Sequence, residues 1–68
     1  MVHVVYEQDE SGLWRFIIYK NEKVQAITDF EYASRAMMKR TVGEICEKII
    51  TEGKYKEKIK KTIIRRGQ

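Results

Sequence analysis

Along the first third of the chain, apolar and polar positions alternate with a period of two. In VHVVYEQ, Val2, Val4 and Tyr6 alternate with His3, Val5 and Glu7, the pattern of a strand with one face on a core. In LWRFIIYK, Trp14, Phe16 and Ile18 share one face, while Leu13, Arg15, Ile17 and Tyr19 share the other. The intervening DESG supplies turn chemistry, since Asp9 and Ser11 can bond nearby backbone and Gly12 tolerates positive φ. Asn21-Glu22 then turns the chain into KVQAIT, because Asn accepts the φ > 0 that tight hairpins need. Together these segments predict a three-stranded antiparallel meander. Its middle strand is apolar on both faces, and one helix layer covers only one of them.

The period then lengthens to that of a helix. Thr28 with Glu31 three residues on forms a capping-box pattern, and Asp29 suits the positive end of a helix dipole, so a helix is predicted to start at TDFE and run to Glu52. At about 100° per residue, Met38, Val42, Ile45 and Ile49 fall within about 60° of one another. Burying four such side chains is worth roughly 6–12 kcal/mol before chain entropy offsets most of it. Gly43 weakens the helix interior by about 1 kcal/mol relative to Ala, and Gly53 is placed to end it.

KYKEKIKKTIIRR follows, Lys54 to Arg66, with seven basic residues and one acid. As a helix it puts Tyr55, Ile59, Thr62 and Ile63 on one face and points Ile64 away, whereas KTIIRR also reads as a short β segment. The helix is the preferred reading. The predicted fold is therefore α+β, a single small domain over residues 1–68: a three-stranded antiparallel meander, a long α-helix and a shorter basic C-terminal helix, β-β-β-α-α.

Composition adds bounds. A chain of 68 residues sits near the lower limit for a core that stands without staples. The lone Cys46 forms no internal disulfide, which fits a reducing compartment. With no apolar run of roughly 18–20 residues, no membrane span is expected, and the expected location is the cytoplasm. Charge divides unevenly. Residues 1–32 hold three Lys/Arg against six Asp/Glu, a net of −3, and residues 33–68 hold eleven against four, a net of +7. That contrast is the most informative compositional fact.

Catalytic chemistry is sparse. The one histidine, His3, opens the first strand with no Ser or Cys near it in sequence, and Cys46 edges the apolar stripe of the long helix, where a thiol packs as a small hydrophobe. One His and one Cys make no zinc site without further ligands. Asp9-Glu10 fall in a predicted turn, where solvation accounts for them, and there is no glycine-rich phosphate loop. The chain reads as non-enzymatic, with no metal, cofactor or small-molecule substrate.

Binding is the better-supported class. Arg35, Lys39, Arg40, Lys54, Lys58, Lys60, Lys61, Arg65 and Arg66 are candidate phosphate contacts on the basic half, and duplex DNA is the favoured partner. The alternative is a protein-interaction or inhibitor module, self-associating as a homodimer, that uses an open sheet face bearing Val5, Arg15, Ile17 and Tyr19. The basic segment lacks the Trp and Leu of a membrane-surface helix, so no membrane partner is expected.

The stretch GLWRFIIYKNEKVQAITDFEYASRAMMKRTVGEI, about half the chain, resembles the three-stranded-sheet-plus-helix DNA-binding domains at the amino terminus of tyrosine-recombinase integrases. Trp14, Phe16, Ile18, Phe30, Ala33 and Ala36 occupy the matching positions. The resemblance implies a sheet that enters the major groove on basic and polar strand residues. Here only Arg15, Lys20 and Lys23 could serve, within an acidic segment that phosphates repel at close range. No binding residue is carried over, and DNA contact is expected from the helical half.

Overall fold

Three strands run where the alternation places them. The protein's computed structural model describes residues 1–50 and 53–65, and in it β1 (Val2–Asp9), β2 (Trp14–Lys20) and β3 (Lys23–Ile27) form the antiparallel meander. Both turns behave as their residues dictate. Gly12 takes φ 90°, while Asn21 and Glu22 take φ 51° and 67°, the paired positive values of a tight hairpin. A single helix, α1 (Arg35–Ile49), packs on one face of the sheet. Val2, Val4 and Tyr6 of β1 and Trp14, Phe16 and Ile18 of β2 meet Met38, Val42 and Cys46 there to make the core. Ile45 and Ile49 of the expected stripe are only partly buried, and Cys46 lies deeper than either.

The helix begins later than the capping box suggests. Thr28 instead prolongs the pairing of β3 with β2: its N–H donates to the Phe16 carbonyl at 3.1 Å, and its Oγ1 accepts from the Phe16 N–H at 3.1 Å. Tyr32 continues that line through a bridge to Trp14. The N-cap is Ser34, whose Oγ accepts from the Met37 N–H at 3.4 Å. At the other end α1 stops at Ile49, where Lys20 Nζ donates to the Ile49 carbonyl at 2.8 Å. The predicted terminus at Glu52 lies outside the described residues, and Gly53 takes φ 78° in the connection beyond them.

The larger correction concerns the basic segment, which is a strand. β4 (Lys56–Ile63) pairs in parallel with β1, giving the order β3-β2-β1-β4 in one mixed sheet and a β-β-β-α-β chain with no second helix. The three-stranded meander leaves β1 at an edge with unpaired backbone beside the fully buried Val4 and Tyr6. Adding β4 satisfies those groups, and α1 supplies the crossover that a parallel pair requires. The helix does not reach β4, so nearly every residue of that strand is exposed, Ile59 at 43%. β4 is thus an edge strand, and its lysines also discourage further strand addition.

Candidate functional site

The ladder registers set the side chains of the uncovered sheet face into rungs. Residues paired directly across strands share a face. Lys56, His3, Tyr19 and Val24 therefore form one rung; Lys58, Val5, Ile17 and Ile27 form the next; Lys60, Glu7 and Arg15 form a third. Lys56, Lys58 and Lys60 stand in a row along the edge, all exposed, at every second residue of β4. That spacing is about 6.6 Å per step. None of the three pairs with a carboxylate among the described residues.

Two acids of the first half, Glu7 and Asp9, are engaged by arginines. Glu7 is buried and held by Arg15, whose Nε donates to Oε1 at 2.6 Å with Nη2 also 2.6 Å away. Asp9 is not solvated as its turn position suggested. Its Oδ1 accepts from the Ser11 N–H at 3.0 Å, the Ser11 hydroxyl at 2.9 Å and the Leu13 N–H at 2.9 Å, and its Oδ2 accepts from Arg65 Nη1 at 3.1 Å. Burial raises the Asp9 carboxyl, but the bonds from Ser11, Leu13 and Arg65 outweigh it and leave the group below its ordinary value. The Phe30 ring completes this end, with the Arg15 and Arg65 guanidinium carbons 4.5 Å and 5.0 Å from its centroid. At the opposite end of the face lies a hollow of about 730 Å³ lined by Met1, His3, Val5, Tyr19, Asn21 and Glu22.

No family model matches the chain, and neither does any curated protein or solved structure.

The two rival residue sets of the sequence prove to be neighbours. Val5, Arg15, Ile17 and Tyr19 share the face away from α1 with Lys58 and Lys60, but Ile17 is buried there, 6% exposed. Other basic candidates disperse. Arg35 lies on the helix side, its guanidinium carbon 5.9 Å from the Tyr6 ring centroid. Lys39 and Arg40 are exposed on α1, where Arg40 meets Glu44 at 3.6 Å in a solvent-screened pair. Lys54 and Lys61 are exposed at either end of the row, Arg65 is engaged with Asp9, and Arg66 lies outside the described residues. Lys56, His3, Val24 and Ile27 were not among the sequence candidates. For Lys56 the signal was present, since it continues the spacing of Lys58 and Lys60.

Behind the sheet, β4 and α1 flank a groove of about 500 Å³ that includes Cys46, Tyr55 and Glu57. Burial, then the Glu57 charge, push the Cys46 thiol and the Tyr55 phenol up. The Tyr6 phenol is raised further, by burial first and then by the interaction of its hydroxyl with the Glu57 carboxylate. A raised thiol is a poor nucleophile. His3 lies on the opposite side of the sheet, so imidazole and thiol form no pair. Among the described residues no three His, Cys, Asp or Glu side chains converge as a metal site, and no helix is long and apolar enough to cross a membrane.

Proposed function

We propose that this chain is a non-catalytic nucleic-acid-binding protein of the cytoplasm, which takes phosphates along the lysine row of β4 on the open sheet face. The observation that carries this reading is the row itself: Lys56, Lys58 and Lys60, exposed, aligned on one face and without carboxylate partners among the described residues. The objection that an acidic sheet repels phosphate loses its force, because β4 brings the basic half into the sheet while Arg15 and Arg65 engage Glu7 and Asp9. Each phosphate contact releases counterions, so log K against log[salt] for duplex should fall with a slope of about −3 when three lysines act. Fluorescence anisotropy across a salt series measures it. Reversal of Lys56, Lys58 and Lys60 to Glu should abolish binding at moderate salt, and unchanged affinity in that variant overturns the reading.

A second reading, self-association through the same face, draws on the exposure of Val24 at 53% and Ile27 at 56% beside Tyr19. Light scattering on the wild type and on Ile27→Asp, across ionic strength, decides between them.

A further inference from the structure

We infer that the nucleic acid this face takes is single-stranded, with its backbone on the lysine row and one base lodged in the hollow against Tyr19 and His3. The inference rests on the reading just proposed and concerns which form of polyanion fits. Apart from Arg15 and Arg65, which are engaged with Glu7 and Asp9, the cations of this face stand on one side of it. Across the rungs from Lys56 and Lys58 come His3 and Val5, then Tyr19 and Ile17, then Val24 and Ile27. Neighbouring strands lie about 4.8 Å apart, so β2 is about 10 Å and β3 about 14 Å from the row.

A duplex displays two phosphate backbones across grooves of about 6 and 12 Å and hides its bases between them. Laid on this face with one backbone over β4, it would set the other against Val24, Ile27 and the carboxylate of Glu22, none of which receives a phosphate. A single strand has the opposite asymmetry, with charge on one side and π-faces on the other. It therefore matches a surface whose one edge is lysine and whose interior is aromatic and aliphatic. The run from Lys56 to Lys60 is about 13 Å long, room for at most about four nucleotides, the count for a fully stacked strand at about 3.4 Å each, and fewer for an extended one.

The hollow lies on the rung of Lys56, within a nucleotide's reach of the row. His3 and Tyr19 are directly paired across β1 and β2, so an aromatic ring and an imidazole face the same space. Stacking on such a pair is indifferent to base identity. The aromatic content of the core plays no part: Trp14 and Phe16 are buried beneath α1 on the other side of the sheet.

The test compares a labelled 12-nucleotide oligothymidine, a 12-base-pair duplex and inorganic polyphosphate at matched salt, on the wild-type chain, Tyr19→Leu, Tyr19→Phe and Lys58→Glu. The oligothymidine should bind at least about 10-fold more tightly than duplex or polyphosphate. Tyr19→Leu should weaken it by about 10-fold with the salt slope unchanged, while Tyr19→Phe, which keeps the ring, should stay within about 2-fold of the wild type. Lys58→Glu should lower affinity for every probe. Equal or tighter binding of duplex, or full affinity in a folded Tyr19→Leu, overturns the single-strand inference and leaves the phosphate row standing. Indifference of every probe to Lys58→Glu, or no binding at all, overturns both.

Discussion

Asp9 shows most clearly what one residue does in this chain. Its carboxylate ties the β1–β2 turn through Ser11 and Leu13 and also holds Arg65, just past the end of β4 and 56 positions away in sequence. Because its native pKa lies below the ordinary carboxylate value, the unfolded chain takes up the proton first as pH falls. Asp9 therefore contributes stability at neutral pH, and that contribution disappears as pH drops below about 4 and through the native value. Asp9→Asn should lower the melting temperature at pH 7 and flatten the loss of stability on acidification below about pH 4. Thermal melts over that range check both, and a variant with the wild-type acid profile shows that the cluster is not what acid disrupts. The Asx-turn chemistry of Asp9 was legible in the sequence. Its partner was not, because no local pattern places Arg65 beside it.

At the scale of elements, legibility followed burial. β1 and β2 each have one face under α1, so their apolar residues alternate and can be read. β4 has no helix above it and solvent on both faces, so its period-two signal is carried by lysines, which also fill the wet side of helices. The helix start was misplaced for a related reason: Thr28 and Glu31 have the spacing of a capping box, yet Thr28 serves the β2–β3 ladder and Ser34 caps without an acid in the first turn. β4 also carries a defect that propensity does not announce. Its register with β1 shifts between Glu7 and Asp9, and Thr62 takes φ 62°, a left-handed value that β-branched residues rarely adopt. The cost of such a residue is on the order of 1 kcal/mol. Thr62→Asn, which tolerates this conformation without glycine's extra chain entropy, should stabilise the fold by about 0.5–1 kcal/mol in urea titrations. Destabilisation by more than about 1 kcal/mol means that Thr62 makes a contact worth more than its strain.

On the scale of the whole molecule, a net charge of +4 and a half-covered sheet set two uses of one surface against each other. The sequence separated these uses, placing basic contacts on helices and apolar ones on the sheet. Pairing of β4 with β1 merges them, because it lays Lys56, Lys58 and Lys60 beside Val5, Ile17 and Tyr19. The merger gives the two readings opposite responses to salt. Nucleic-acid binding replaces counterions and weakens as salt rises. Self-association crowds two lysine rows, so screening relieves its main opposition and it strengthens as salt rises, at a Debye length of about 10 Å in 0.1 M salt. Light scattering at high protein concentration should accordingly find a monomer at low ionic strength that forms a defined complex with oligonucleotide. Ile27→Asp, at a position 56% exposed, should leave the monomer folded. A dimer that grows with salt and vanishes in Ile27→Asp would transfer the face to self-association, since the rungs cannot be buried against a second copy and lie open to phosphates at once.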